Sequence, residues 1–127
     1  MQVLSKTIGS VLVVICLGIV GASAQGHAAL ITATSQHSRA LQLSVESNAV
    51  TTATNSATLC SAPGGDVLEA KLWMPSMGHG SAPTQLVPLG GDCLRIDHIS
   101  FFMPGAWEIR VRYADGDGAV IALEVQE

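Results

Sequence analysis

The feature that most restricts the fold of this sequence is a pair of alternating runs near its C-terminal end. In both runs every second residue is apolar: Trp107, Ile109, Val111 and Tyr113, then Ala119, Ile121, Leu123 and Val125. Successive side chains of a strand point to opposite faces of a sheet, so this period indicates half-buried strands. The turn sequence Asp115-Gly116-Asp117-Gly118 separates the two runs and predicts a β-hairpin.

Further strand patterns precede the hairpin. Leu41, Leu43 and Val45 alternate with polar residues, and Leu68, Ala70, Leu72 and Met74 share one face of a strand that Pro75 should end. A Gly/Pro-rich loop is expected over 76–91 and a strand-like run over 93–103. No amphipathic helix is evident after residue 24, and short strands separated by Gly/Pro turns predict an all-β, immunoglobulin-like antiparallel β-sandwich.

The first 24 residues have the pattern of a secretion signal. One cation, Lys6, precedes an apolar run over 11–20, and the small-residue sequence Ala22-Ser23-Ala24 follows it. This order predicts a signal peptide over 1–24 that is cleaved after Ala24, which places the protein in the periplasm or outside the cell. The alternative is an uncleaved segment that anchors the domain to the membrane.

The remaining 103 residues are enough for one domain. We expect a flexible lead-in over 25–40, because that segment lacks sustained periodicity, and one folded domain over 41–127. All ten Asp/Glu and five of the six Lys/Arg follow residue 24, so the net charge of this part is −5. No basic patch is evident, which argues against a nucleic-acid partner.

Two cysteines, Cys60 and Cys93, follow the predicted cleavage site. An even pair in an oxidising compartment most often forms a disulfide bond. The alternative is that both sulfurs are thiolate ligands of a metal.

The segment from Trp73 to Gly80 contains the most distinctive group of potential metal-ligating side chains in the sequence. Its sequence, Trp-Met-Pro-Ser-Met-Gly-His-Gly, places Met74, Met77 and His79 close together, and Met103 lies in a second motif, Phe-Met-Pro-Gly, over 102–105. No other methionine follows residue 24. Thioether sulfur and one imidazole suit the soft ion Cu(I), whereas Ca²⁺ and Mg²⁺ prefer oxygen ligands.

Each of these residues also has a purely structural interpretation. Met74 continues the inward phase of its strand, Met103 could close the end of the sandwich, and His79 could be a polar loop residue. His98 falls in the phase of Leu94 and Ile96 and is expected to be buried. His27, near the predicted mature N-terminus, could bind Cu(II) together with the terminal amine.

Enzyme motifs are not found in the sequence. A nucleophile elbow, a zinc-protease helix motif and a phosphate-binding loop are all missing. Ser76 or Ser81 near His79 lacks an identifiable orienting group and oxyanion hole. We therefore expect no catalytic residues.

The two Met-containing motifs resemble the YtkA-like family of small exported or membrane-anchored bacterial domains, which is related to FixH-type proteins. The similarity rests on residues 74–80 and 102–107 and on the alternating strand that follows, and it extends over roughly residues 67–125. It implies an immunoglobulin-like fold and a link to copper handling or respiratory-oxidase assembly, with Met74, Met77, His79 and Met103 at the motif positions. The Cys60/Cys93 pair departs from the family pattern.

The leading hypothesis is a periplasmic module that binds Cu(I) for delivery or sequestration through Met77 and His79, with Met74 and Met103 completing the site. The alternative is a metal-free interaction domain in which the Met-Gly-His loop and Trp73 contact a subunit of a membrane or respiratory complex. In a third interpretation both motifs only pack one end of the sandwich.

Overall fold

The computed structural model describes residues 28–127, so the predicted signal peptide, its cleavage site and His27 lie outside the described residues. The described residues form nine strands: β1 (Ala29–Thr34), β2 (Ala40–Val45), β3 (Ser56–Ala62), β4 (Val67–Met74), β5 (His79–Gly80), β6 (Gln85–Gly90), β7 (Cys93–Asp97), β8 (Gly105–Tyr113) and β9 (Gly118–Val125). This part of the chain contains no helix that is long and apolar enough to cross a bilayer.

The strands form two antiparallel sheets, in the orders β1-β2-β3-β7-β6 and β5-β4-β8-β9. When β1 is set aside, the first sheet has the A-B-E-D order of an immunoglobulin domain. The second has its C-F-G order with one short strand, β5, added beside C. The predicted all-β, immunoglobulin-like sandwich is therefore confirmed, with an additional N-terminal strand.

The core lies between the two sheets. The inward side chains of β8 and β9 are buried in the alternation that the sequence predicts, and β8 pairs with β9 from Gly105↔Val125 to Arg112↔Gly118. Apolar residues of the other sheet face them, and the largest fully buried ones in the two sheets are Leu41, Leu43, Leu59, Leu72, Ile96, Trp107, Ile109, Tyr113, Ile121 and Val125.

The predicted disulfide is confirmed. Cys60 of β3 lies directly opposite Cys93 of β7, and the two sulfurs are bonded at 2.03 Å. The bond closes a loop with a sequence separation of 33 residues. Because both sulfurs are engaged in this bond, the thiolate-ligand alternative does not hold for this structure.

Three strands lie in segments that the sequence analysis expected to be a lead-in or a loop: β1, the two-residue β5 and β6. Residues 29–34, within the expected lead-in, form β1 and pair along their whole length with β2. Residues 85–90, within the expected Gly/Pro loop, form β6, the edge strand that pairs with β7. Its Pro88 is tolerated because an edge strand needs a hydrogen-bond donor on one side only.

Two predicted burials are wrong. Leu68 is exposed rather than inward, because the pairing of β4 with β8 shifts register between Val67 and Glu69. His98 is exposed because β7 ends at Asp97 and His98 takes a left-handed backbone conformation, with φ of 62°. The phase of the preceding strand therefore no longer determines where its side chain points.

Candidate metal centre

The first Met-containing motif forms a tight turn between β4 and β5. The backbone N–H groups of Met77 and Gly78 donate hydrogen bonds to the carbonyl of Met74, at 3.1 and 3.0 Å. Gly78 has φ of 68°, a left-handed conformation that favours glycine. The turn returns the chain so that His79 pairs with Met74 on the neighbouring strand, and it carries Met77 at its tip.

The second motif meets the first at this end of the sandwich. The rings of Phe102 and His79 are stacked, with 5.5 Å between their centroids. The Ser81 hydroxyl, two residues beyond His79, donates a hydrogen bond of 2.6 Å to the carbonyl of Ser100. The Met74 methyl carbon lies 3.0 Å from the position that a Cβ on Gly105 would occupy. We call these two stretches, residues 74–80 and 100–105, the donor rim.

The four predicted ligand residues differ in exposure. Met77 is 52% exposed and His79 is also exposed. Met103 is partly buried and packs against the core. Met74 is 3% exposed and belongs to the core, as its strand phase indicates. The donor rim therefore presents Met77 and His79 directly to solvent, while Met74 would have to leave the core before its sulfur could reach a ligand.

The chemistry of the exposed donors fits a soft cation. Within residues 28–127, no group of three or more His, Cys, Asp or Glu side chains is arranged to hold a metal ion. The donor rim offers thioethers and one imidazole, which suit Cu(I) better than a hard cation. The disulfide leaves no thiol of the described residues as a competing soft donor.

The backbone and aromatic contacts of the rim connect it to the core. The indole N–H of Trp107, a residue 1% exposed, donates a hydrogen bond of 2.9 Å to the carbonyl of Met103. The Trp107 ring also meets Phe101 and Phe102 edge-on, at 5.3 and 5.0 Å between centroids. Phe102 thus bridges a buried tryptophan and the exposed His79, a role that sequence analysis missed although it quoted the motif.

A cationic cluster surrounds Trp73 on the outer face of the same sheet. The Arg110 guanidinium lies 4.6 Å from the Trp73 ring centroid and the Lys71 ammonium 5.7 Å from it. Lys71 and Arg110 are opposite each other on β4 and β8, where like charges repel. The sequence alone does not bring Lys71 and Arg110 together, because their convergence on one aromatic ring depends on the pairing of β4 with β8.

The opposite end of the sandwich is held by a buried carboxylate that sequence analysis treated only as a turn residue. Asp117 is completely buried and accepts hydrogen bonds from the Ser35 hydroxyl at 2.6 Å and from Arg39 at 2.8 Å. Backbone N–H groups of His37 and Gly118 donate two more, at 2.9 and 2.8 Å. We call this region, residues 35–39 and 113–118 with the nearby disulfide, the anchored end.

Arg39 is the centre of the anchored end. Besides Asp117 it binds the Asp115 carboxylate at 2.7 Å and the Pro63 carbonyl at 3.2 Å. Its guanidinium also lies 4.3 Å from the centroid of the Tyr113 ring. The side chain therefore connects the β1–β2 turn, the β3–β4 loop and the β8–β9 turn.

These contacts change the acidity of Asp117. Burial by itself raises the pKa of the carboxyl, but the four hydrogen bonds to the carboxylate outweigh burial and lower its pKa to about 2. The pKa of Asp115 is also lowered, first of all by its hydrogen bond with Arg39. The anchored end is therefore built around ionised carboxylates.

Comparison of the chain with protein-family models, with curated proteins and with solved structures finds no match. The resemblance to the YtkA-like family therefore rests on the two sequence motifs.

Proposed function

We propose that this is an exported, YtkA-like domain that binds Cu(I) at the donor rim and delivers or sequesters the ion without catalysis. The observation that carries the proposal is that two separated motifs meet: His79 pairs opposite Met74, and Phe102, beside Met103, stacks on His79. Met77 and His79 are the primary ligands because their side chains are exposed. Met103 is the next candidate ligand because it is only partly buried, and Met74 contributes a ligand only if it leaves the core.

Export to an oxidising compartment is consistent with the Cys60–Cys93 disulfide. In such a compartment thioethers persist as soft ligands while free thiols are scarce. Methionine and histidine can therefore hold Cu(I) without being lost to disulfide formation.

The test is a Cu(I) titration of the mature protein against a chromophoric Cu(I) chelator under reducing conditions that leave the disulfide intact. We expect about one ion per chain, and a weakening of about tenfold or more for His79→Ala and for Met77→Leu. His37→Ala is the matched control, because His37 is an exposed histidine at the anchored end. Its backbone N–H donates a hydrogen bond to Asp117 at 2.9 Å and its ring Nδ1 lies 3.9 Å from the same carboxylate, so it has no contact with the donor rim. Equal affinities for the wild type and both rim variants would refute the site.

A second candidate function is supported by the cluster around Trp73. Three of the five Lys/Arg among the described residues, Lys71, Arg110 and Arg112, lie on this sheet face, although the domain as a whole is acidic. Tryptophan and arginine are the residue types that most often dominate binding energy at protein interfaces. Arg110 and Arg112 are paired with Glu108 and Glu69 on the same face, so Trp73 with Lys71 is the part of this face that would contact an acidic segment of a membrane-complex or oxidase-assembly subunit.

The two functions are separable by chelation. If the domain works by protein contact alone, its association with such a subunit persists in a Cu(I) chelator and in His79→Ala, and it is lost in the double variant Lys71→Glu/Arg110→Glu. Arg95→Gln is the control, since Arg95 lies on the other sheet and pairs with Asp97. Loss of association on chelation would instead assign the contact to the copper-bound rim.

A further inference from the structure

The exposed imidazole of His79 has two contacts that restrict how it can act as a ligand. Its Nδ1 lies 3.3 Å from the carbonyl oxygen of Gly80. A carbonyl oxygen only accepts hydrogen bonds, so a hydrogen bond between these two atoms places the proton on Nδ1. The neutral ring then has its lone pair on Nε2, the nitrogen that remains free to bind a metal.

The second contact is the stack with Phe102. The two ring planes are inclined by 21° with their centroids 5.5 Å apart, so the Phe102 ring lies against one face of the imidazole. Phe102 is itself held by the buried Trp107, which meets it edge-on at an interplanar angle of 81°. A line of three rings therefore extends from the core to an exposed side chain that would otherwise rotate freely.

We propose that Phe102 is a positioning residue for His79, and that His79 binds Cu(I) through Nε2. This inference rests on the proposed copper function. The carbonyl of Gly80 selects the tautomer, as partners of the distal nitrogen commonly do for metal-binding histidines. The Phe102 ring fixes the orientation of the imidazole before the ion arrives, which reduces the conformational entropy lost on binding.

The first test uses the apo protein and needs no metal. Two-bond ¹H–¹⁵N correlation spectra at alkaline pH, with neutral imidazoles, should show His79 protonated on Nδ1. The ring protons of His79 should move downfield in Phe102→Leu, because the shielding aromatic face is removed, and should stay near their wild-type positions in Phe102→Tyr. A proton on Nε2 would overturn the proposal, and so would chemical shifts of the His79 ring protons that are the same in Phe102→Leu as in the wild type.

The second test measures Cu(I) affinity of the same variants. We expect Phe102→Leu to lower the Cu(I) affinity about tenfold, which is the size typical for residues that orient a ligand. Phe102→Tyr should bind Cu(I) with nearly the wild-type affinity. The two variants should melt close to the wild-type temperature, since Phe102 is 50% exposed. A purely structural role of Phe102 would change melting and affinity together.

The outcomes separate the two proposals. If wild type binds Cu(I), His79→Ala loses binding and Phe102→Leu binds like wild type, the positioning role fails and the copper function stands. If wild type binds no Cu(I), the copper function fails, and with it the assignment of Nε2 as a ligand. The apo spectra then still show whether Phe102 and Gly80 orient the ring.

Discussion

The two ends of the sandwich are built in opposite ways. At the anchored end, a fully buried carboxylate accepts four hydrogen bonds and one arginine connects three loops. At the donor rim, Met77 and His79 stand in solvent, and the imidazole is held by one ring stack and one long hydrogen bond. The nine residues of β8 connect the two ends and separate them by roughly 27 Å.

This difference separates the part of the chain that stabilises the fold from the part that carries the proposed binding site. A buried polar network and a disulfide bond stabilise the anchored end. The donor rim can therefore carry exposed side chains that contribute little to the free energy of unfolding. Substitutions far apart without shared partners usually act additively. Changes at the anchored end should therefore alter melting and leave Cu(I) affinity unchanged, and changes at the exposed rim residues Met77 and His79 should do the reverse.

The largest effect is expected from removing the disulfide. In the chain-entropy model a loop of this length contributes about 3–4 kcal/mol, so Cys60→Ser/Cys93→Ser should lower the melting temperature by roughly 15 °C. Calorimetry of the oxidised wild type and the double variant measures it. Cu(I) affinity of the folded variant should stay within about twofold of wild type, and a larger loss would mean that the two ends are coupled.

The next effect is expected from Asp117→Asn. An amide cannot replace the ionised acceptor beside Arg39, and it places an N–H₂ group among buried donors, so the melting temperature should fall by about 10 °C. Asp115→Asn is the matched control, because Asp115 also binds Arg39 but is half exposed and should cost much less. Equal losses would contradict the central role of the buried carboxylate.

The third prediction concerns pH. The pKa of Asp117 is lowered to about 2 in the folded protein from its ordinary value of 3.8, so its ionised form stabilises the fold above about pH 4. That contribution is lost as the pH falls from about 4 to about 2. Melting curves should show a fall over this range that is shallower in Asp117→Asn. The pKa values of Asp97 and Asp115 are also lowered, so some slope should remain, and a wild-type curve without any slope would refute the prediction.

The anchored end also shows where sequence reasoning stops. The Asp-Gly-Asp-Gly turn is visible in the local pattern, but the burial of Asp117 is not. Its partner Ser35 is 82 positions away, and the two turns meet only after the sheets have formed. By contrast, β8 and β9 are adjacent in sequence and bury one face each, so their period of two is sufficient to predict them.

The remaining errors have local physical causes. β1 was missed because Ala29–Thr34 lacks a clear period of two: its two large apolar residues, Leu30 and Ile31, are adjacent, and only the pairing with β2 decides which of them is exposed. Leu68 and His98 were misplaced by a register shift and a left-handed residue, which interrupt the phase of β4 and end that of β7. At the rim, the sequence supplied the candidate donors, whereas the stack of Phe102 on His79 required the fold.

The smallest effect on stability is expected from Met77→Leu. Half of the Met77 side chain is exposed and leucine preserves its apolar character, so the melting temperature should change by less than about 2 °C. Met74→Ala is the contrasting variant, because truncating a buried methionine costs about 2–5 kcal/mol. If both motifs were only packing devices, Met77→Ala would lower the melting temperature and no metal would raise that of wild type. If the rim is a copper site, Met77→Leu keeps its melting temperature without metal but loses most of the increase that Cu(I) gives to wild type.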